Sequence, residues 1–288
     1  MINLIFFGSS EYSLIILEKL LQISDFHISA VVTKVDKPVG RLQTITPNPV
    51  AAFASQNQLN LIQPPDFDTN FTQQFQQLKP DLALVVAFGP PYFTQELIDI
   101  PKYKIVNIHP SPLPKYRGAT PGPWQIINGE TTSAVTFFQI DALPDHGPII
   151  TQIPFNIDST ETSTSFYQKA FALAADHLEA ILKNYLSKPN LLQIQDHSQK
   201  SYFPKFSKDD AKINWDWDLT KIEAFIRALN PWPTAWTDVT NHQNQKLKMK
   251  IFSSSLINNQ LVFNQVQIEG KKITNWSEIS QHYTIDKA

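Results

Sequence analysis

The first two thirds of the chain alternate between short continuous apolar runs and apolar residues at helical spacing. The runs at residues 2–7 and 82–86 predict buried strands, and the spacing within residues 12–21 and 163–186 predicts amphipathic helices. This alternation favours a mostly parallel sheet with helices on both faces. Ligands of such sheets bind beyond the carboxyl ends of the strands.

Weaker patterns extend this picture along the chain. Apolar runs predict further strands at residues 26–33, 104–108, 134–139 and 149–157. Helices are predicted from residue 50 and over residues 119–128, where Gly129 suits a helix end. Residues 36–49 contain three prolines and are predicted to form a loop.

The sequence changes character near residue 205, where tryptophans cluster and basic residues become more frequent. Residues 246–252 and 261–268 each alternate like a strand. We therefore predict an α/β catalytic domain at residues 1–204 and a small β-rich domain at residues 205–288.

Composition narrows the class of protein. Of 288 residues, 42% are hydrophobic and 17% are charged, which is typical of a globular chain. No cysteine is present, which excludes disulfides, thiolate metal sites and a cysteine nucleophile. No apolar stretch approaches the roughly 20 residues of a membrane span. We expect a soluble protein in the cytoplasm that does not act at a membrane.

Two common kinds of site find little support. Gly8 stands alone after the first strand, without the further glycines of a dinucleotide-binding turn. His109 and His146 lack partners at the spacing of a metal site, so no metal is expected.

The sharpest candidate for chemistry is Asn107-Ile108-His109. In a strand, residues i and i+2 point to the same side, so Asn107 and His109 would project together at a strand end. An amide donor beside an imidazole suits the stabilisation of an oxyanion and the transfer of a proton. The alternative is a structural pair of polar groups whose hydrogen bonds are satisfied at a strand end.

Two later features favour the chemical interpretation. Residues 110–114 form a stiff, proline-rich loop directly after this strand. Asp145 could accept a hydrogen bond from the imidazole, although an aspartate is also common in turns. No Ser stands in a G-x-S-x-G elbow, so no nucleophilic serine is expected. The Asn, His and Asp side chains therefore suit direct attack of an amine on a carbonyl.

The segments 107–114 and 144–147, read as Asn-Ile-His-Pro-Ser-Pro-Leu-Pro and Pro-Asp-His-Gly, resemble the core motifs of the formyltetrahydrofolate-dependent formyltransferases. Residues 228–236 and 267–272 resemble the C-terminal domain of the family members that act on methionyl-tRNA. The resemblance implies a Rossmann-like formyltransferase domain followed by an OB-like domain. That second domain is shortened here, because only about ten residues separate the strands near Lys250 and Val266.

The resemblance also implies roles for residues. Asn107 and His109 would stabilise the oxyanion, and Asp145 would orient His109 and assist proton transfer. The co-substrate would be 10-formyltetrahydrofolate, bound by residues of three loops: Phe88, Gly89, Pro90, Pro91, Ser111, Pro112, Leu113, Pro114, Ile140 and Asp141.

The acceptor implied by the resemblance is the α-amine of methionyl-initiator tRNA. Five basic residues would contact the RNA: Arg41, Lys246, Lys248, Lys271 and Lys272. The alternating lysines of residues 246–250 have a second interpretation, as the solvated side of an edge strand protected from aggregation. The loop around Arg41 is also less basic than the corresponding loop of the family. His146 stands where the family usually has a Thr.

Two other functions stay open on the sequence. The protein could formylate a small amine, such as a nucleotide-linked amino sugar, or it could retain only the fold as a folate- or RNA-binding protein. In each case we expect a monomer.

Overall fold

The computed structural model describes residues 1–39 and 43–287. The strands are, in chain order, β1 (Ile2–Gly8), β2 (Phe26–Val32), β3 (Lys37–Val39), β4 (Thr44–Thr46), β5 (Leu61–Ile62), β6 (Leu82–Val86), β7 (Ile105–His109), β8 (Arg117–Gly118), β9 (Thr132–Gln139), β10 (Ile149–Asn156), β11 (Tyr202–Phe203), β12 (Trp236–Asn241), β13 (Lys246–Ile251), β14 (Ser254–Ile257), β15 (Gln260–Phe263), β16 (Gln265–Ile268), β17 (Thr274–Asn275) and β18 (Tyr283–Asp286).

Eight α-helices connect the strands of the described residues. They are α1 (Glu11–Leu21), α2 (Pro49–Gln56), α3 (Thr69–Gln77), α4 (Gln95–Asp99), α5 (Pro121–Ile127), α6 (Ser163–Ser187), α7 (Leu219–Ala228) and α8 (Trp276–Ile279). Side chains cap many of the first turns, since Ser10, Asn48, Asp68, Thr94 and Asp218 each accept from a backbone N–H of the following helix.

The chain divides into two compact units. One comprises residues 1–118, 134–155 and 168–202, and the other comprises residues 119–133, 156–167 and 203–288. The predicted boundary between residues 204 and 205 stays a prediction. Within the described residues, no helix is long and apolar enough to cross a membrane.

The first unit is built on a seven-stranded sheet in the order β10-β9-β7-β6-β1-β2-β5. The pairs from β7 through β5 are parallel, whereas β9 runs antiparallel to β7. Strands β1 and β6 lie in its interior, which explains why their sequences are continuous apolar runs. The parallel strands β6 and β7 therefore bring their carboxyl ends to the same edge.

Phe7 lies at the centre of one apolar cluster of this unit. Its ring makes edge-to-face contacts with five other phenylalanine rings, those of Phe67, Phe71, Phe75, Phe88 and Phe93. Such contacts add about 0.5–1.5 kcal/mol per pair beyond the area they bury. Phe88 thereby fixes the turn after β6 to the body of the sheet.

The loop prediction for residues 36–49 is wrong in part. Strands β3 and β4 pair antiparallel, with Pro38 opposite Ile45. A two-stranded ribbon has an open edge on each strand, so the missing N–H of Pro38 costs no ladder bond there.

In the second unit, the main sheet has the order β17-β16-β13-β12-β18, and its pairs are antiparallel. The predicted strand at residues 261–268 is in fact two strands, β15 and β16. They separate at Asn264, whose backbone N–H donates to Ser253 rather than to a ladder partner. Strand β15 instead forms a hairpin with β14.

Candidate active site

The carboxyl end of β7 carries the predicted Asn and His. Asn107 is half-buried, and His109 is 6% exposed. The Nε2 atom of His109 lies 3.0 Å from the carbonyl oxygen of Tyr116, and the ring meets Phe138 edge-on. Because a carbonyl only accepts, Nε2 carries the proton. In the neutral ring, Nδ1 is therefore the unprotonated nitrogen that is available for chemistry.

Asp145 faces this free nitrogen. Its Oδ1 lies 3.8 Å from Nδ1 of His109, and its Oδ2 accepts from the backbone N–H of Gly118 at 2.8 Å. At this distance the hydrogen bond expected between Asp145 and the imidazole is not formed. Burial, followed by the influence of Tyr202 and of the Asp145 carboxylate, raises the pKa of Tyr92. Tyr92 is thus kept as a neutral phenol close to the carboxylate.

A buried arginine and a buried glutamine support Asp145 from behind. Arg117 donates to Oε1 of Gln195 at 2.6 Å and to Nδ1 of His197 at 2.8 Å. The Gln195 amide group donates to the backbone carbonyls of Asp145 and Gly147, at 3.1 and 2.7 Å. Burial lowers the pKa of Arg117, and the Asp145 carboxylate opposes that shift.

His146 points into a polar cluster that meets the support of Asp145 at His197. Its Nδ1 donates to Oδ2 of Asp141 at 2.6 Å, and its ring stacks on that of His197 at 3.9 Å between centroids. Burial lowers the pKa of His197, and the neighbouring His146 and Arg117 add to the shift. His197 therefore accepts from Arg117 as a neutral ring.

The loops predicted to bind the folate meet through Ile140. This side chain packs against both the cluster that contains Phe88 and the cluster that contains Leu113. Three of the predicted folate residues are buried, namely Phe88, Ser111 and Leu113. Seven are half-buried or exposed and leave surface for a ligand: Gly89, Pro90, Pro91, Pro112, Pro114, Ile140 and Asp141.

Hydrogen bonds fix the loop after β7. Ser111 donates its hydroxyl proton to the Lys115 carbonyl at 2.9 Å and accepts from Thr136 at its own carbonyl at 2.6 Å. Gln152 donates to the Leu113 carbonyl at 2.8 Å. The stiffness predicted from the prolines is thus reinforced by side chains of the neighbouring strands.

Lys34 holds the turn after β6. Its ammonium group lies 3.7 Å from the centre of the Phe88 ring and donates to the carbonyls of Gly89 and Pro90. Burial, together with repulsion from Lys37, lowers its pKa to about 8. The charge of Lys34 is thus directed at the backbone of a predicted folate loop.

The predicted RNA contacts lie partly beyond what the structure describes. Arg41 falls outside the described residues. Lys271 and Lys272 are exposed in the turn after β16, where Lys271 donates to the Tyr283 hydroxyl at 2.7 Å. These two lysines belong to the second unit.

The alternating lysines of β13 occupy a central strand, because β13 lies between β16 and β12. The edge-strand interpretation is therefore wrong. Lys248 lies 3.6 Å from the centre of the Trp236 ring, and Lys246 pairs with Asp238 at 3.4 Å. Both lysines stand on one face of the sheet with these partners.

Similarity to known proteins places the chain in a family. Family models described as "Formyl transferase" and "Formyl transferase, C-terminal domain" match residues 1–181 and 205–261. A methionyl-tRNA formyltransferase of Acetivibrio thermocellus is 35% identical over 253 residues, or 87% of this chain and 79% of that protein. The chain belongs to the methionyl-tRNA formyltransferase family. The resemblance inferred from its motifs is thereby confirmed.

Solved structures agree with this family's fold. A methionyl-tRNA formyltransferase from Clostridium thermocellum matches with a TM-score of 0.61 and 16% identity, covering 93% of this chain and 99% of that one. The sugar 3N-formyl transferase WlaRD matches with a TM-score of 0.66 and 20% identity, covering 94% and 99%. The predicted Rossmann-like sheet followed by a β-rich domain is confirmed.

Within this methionyl-tRNA formyltransferase fold, sequence reasoning missed Arg117, Gly118, Gln195 and His197. Only Gly118, directly after the proline-rich loop, offered a signal, since glycine is typical of tight turns and close backbone approach. Gln195 and His197 lie in a polar stretch after α6, without periodicity that could have marked them.

Proposed function

We propose that this enzyme transfers the formyl group of 10-formyltetrahydrofolate to the α-amine of methionyl-initiator tRNA in the cytoplasm. The observation that carries the proposal is that Asn107 and His109 lie at the end of β7, while Asp145, in the turn after β9, places its Oδ1 3.8 Å from Nδ1 of His109. Membership of the family supplies the substrates.

The reaction begins when the acceptor ammonium loses a proton. Asp145 is the base for this step, directly or through a water molecule. The neutral amine then attacks the formyl carbon, and the carbonyl oxygen becomes an oxyanion. The attacking nitrogen then carries one proton too many and passes it to the unprotonated Nδ1 of His109. The Asn107 amide and the newly protonated Nδ1 donate to the oxyanion.

Collapse of the tetrahedral intermediate breaks the bond between the formyl carbon and N10 of the folate. N10 leaves with the electron pair and takes up a proton, which the protonated His109 supplies. The products are the N-formylated acceptor and tetrahydrofolate. Asp145 returns to its anionic form by releasing its proton to solvent, through its exposed edge.

The folate co-substrate lies against the half-buried and exposed parts of the loops after β6, β7 and β9. Fixed backbone in these loops supports a stacked pterin, because Lys34 and Gln152 hold two of them by their carbonyls. Preorganised loops reduce the entropy lost when a flat ring binds.

The test is formyl transfer from 10-formyltetrahydrofolate to charged initiator tRNA by the purified protein. We expect turnover with the charged tRNA and none with the deacylated tRNA, since only the former has a free α-amine. An Asp145→Asn variant keeps the shape of the site but lacks the base, so its turnover should fall by about 10²–10⁴.

A small amine is the competing acceptor. Lys246 and Lys248 already interact with Asp238 and Trp236, which leaves fewer free charges for RNA phosphates. Turnover of a nucleotide-linked amino sugar that exceeds turnover of methionyl-tRNA would replace the RNA proposal with this one.

A further inference from the structure

We propose that Gln195 is a positioning residue for the Asp145 carboxylate, acting through a closed ring of hydrogen bonds that also contains Arg117 and Gly118. The ring has two limbs that both end on Asp145, one on its backbone and one on its side chain. The inference rests on the proposed function, because it assumes that the placement of Asp145 limits formyl transfer.

The backbone limb runs through the Gln195 amide. Gln195 is 3% exposed, and its amide nitrogen donates to the carbonyls of Asp145 and Gly147 at 3.1 and 2.7 Å. Its oxygen accepts from Arg117 at 2.6 Å. The orientation of the amide is unambiguous, because carbonyls only accept and guanidinium groups only donate.

The side-chain limb runs through β8. Arg117 and Gly118 are consecutive, and the Gly118 N–H donates to Oδ2 of Asp145 at 2.8 Å. The backbone N–H of Arg117 is itself bound to the Ser201 carbonyl at 2.9 Å. Arg117 thus joins the support of the Asp145 backbone to the support of its carboxylate.

Asp145 needs such support because of its backbone conformation. Its φ is +50°, a left-handed value that a residue with a side chain adopts at a cost. Without the Gln195 amide, the half-buried carbonyl of Asp145 and the buried carbonyl of Gly147 lose this partner, and the turn relaxes towards ordinary φ. The carboxylate then moves relative to His109, and a displacement of about 1 Å in such a site costs about 10²-fold in rate.

The chemistry of the ring requires an amide at position 195. A carboxylate would bind Arg117 well, but it could not donate to the carbonyls of Asp145 and Gly147 and would repel them. An apolar side chain would fill the space and satisfy none of the three groups. Only an amide of this length serves all of them.

The test compares Gln195→Glu and Gln195→Met in the full chain, with Gln125→Met as the matched control. Gln125 is also fully buried, donates to the Pro121 carbonyl and accepts from Ser133, but it belongs to the second unit. Each variant is assayed for kcat, both KM values, the pH dependence of kcat and thermal unfolding.

We expect both Gln195 variants to lower kcat about 10- to 100-fold, with KM values within about twofold and a displaced pH profile. Gln125→Met should lower the unfolding temperature and leave kcat and the pH profile unchanged. The proposal is overturned if the Gln195 variants resemble this control, with lower stability but normal kcat at a temperature where they are folded.

Hydrogen exchange is a second measurement, and it does not depend on catalytic activity. Hydrogen exchange of the segment around Gly118 should accelerate in Gln195→Met, because a mobile Asp145 no longer protects the Gly118 N–H. Unchanged exchange at this segment contradicts the ring. If the wild-type protein fails to formylate any acceptor while exchange accelerates as expected, the proposed function fails and the structural ring stands.

If Gln195→Met does not fold, Arg117→Lys replaces it in both measurements. This variant keeps the positive charge but loses the guanidinium geometry that binds Gln195.

Discussion

At the scale of single residues, the site depends on Asn107 and His109 sharing one side of β7, since side chains two positions apart point the same way in a strand. His109 is held by the Tyr116 carbonyl, which a later loop brings to it. Gln195 is held by Arg117, and 78 residues separate these two partners along the chain.

Asn107→Ala removes one donor to the oxyanion. We expect kcat to fall about 10²- to 10³-fold with little change in the unfolding temperature, because the side chain is only half-buried. Single-turnover formylation measures the change in rate. Asn57→Ala, at the exposed end of α2, is the control and should retain wild-type turnover. A retained rate in Asn107→Ala would remove Asn107 from the site.

Lys34 should titrate well below other lysines. With a pKa of about 8 against an ordinary 10.5, it is roughly half neutral at pH 8 and reacts there with acylating reagents. The folded state binds this proton less tightly than the unfolded chain does, so the contribution of Lys34 to folding becomes more favourable as the pH rises from about 8 to 10.5. Labelling followed by mass spectrometry gives the midpoint, and a midpoint above pH 10 contradicts the assignment.

At the scale of elements, β1 and β6 were predictable because strands buried on both faces are apolar without interruption. Helix α3 gave almost no signal, since its only large apolar residues are Phe71 and Phe75. Strand β4 is exposed along its whole length, so its sequence carries no buried pattern at all. Prediction therefore worked where burial dictated the residue type.

The link between β9 and the Asp145 turn depends on Gly147. A Cβ at this position would lie 1.9 Å from the carbonyl oxygen of Gln139, so the two segments can approach only because the side chain is absent. We expect Gly147→Ala to destabilise the fold by about 3 kcal/mol or more, as severe overpacking does. Urea unfolding measures the change in free energy.

Gly129→Ala is the matched control for that substitution. Gly129 also has a special backbone, with φ of +71°, but a Cβ there meets no atom within 4 Å. Its cost should be about 1–2 kcal/mol, from backbone conformation alone. Equal destabilisation of the two variants would show that the approach to Gln139 is not what matters.

At the scale of the whole molecule, the class of fold followed from alternating elements, but the order of the strands did not. Strand β1 pairs with β6, whose residues lie about 80 positions away. Neither sequence indicates which strand is its partner. The shift in composition near residue 205 predicts a domain boundary there, and this boundary stays a prediction. The central position of β13 could not be predicted, because it is fixed by pairing with β12 and β16.

Binding of tRNA should depend on a small number of lysine side chains. We expect the double variant Lys271→Gln, Lys272→Gln to weaken tRNA binding and to reduce the slope of log affinity against log salt by about 1 for each phosphate that is no longer neutralised. Filter binding at several salt concentrations measures both. Lys102→Gln, a change at an exposed lysine before β7, should alter neither. An unchanged slope in the double variant would argue for a small acceptor.

The position of β1 inside the sheet has a consequence for how the protein is made. The strand is synthesised before both of its neighbours, and it cannot gain the second of them until residue 86 has been synthesised. Until then Phe6 and Phe7, which are fully buried in the finished fold, have an open flank. The nascent chain thus exposes an aromatic stretch until β6 is complete, and chaperones that recognise aromatic stretches should bind it there.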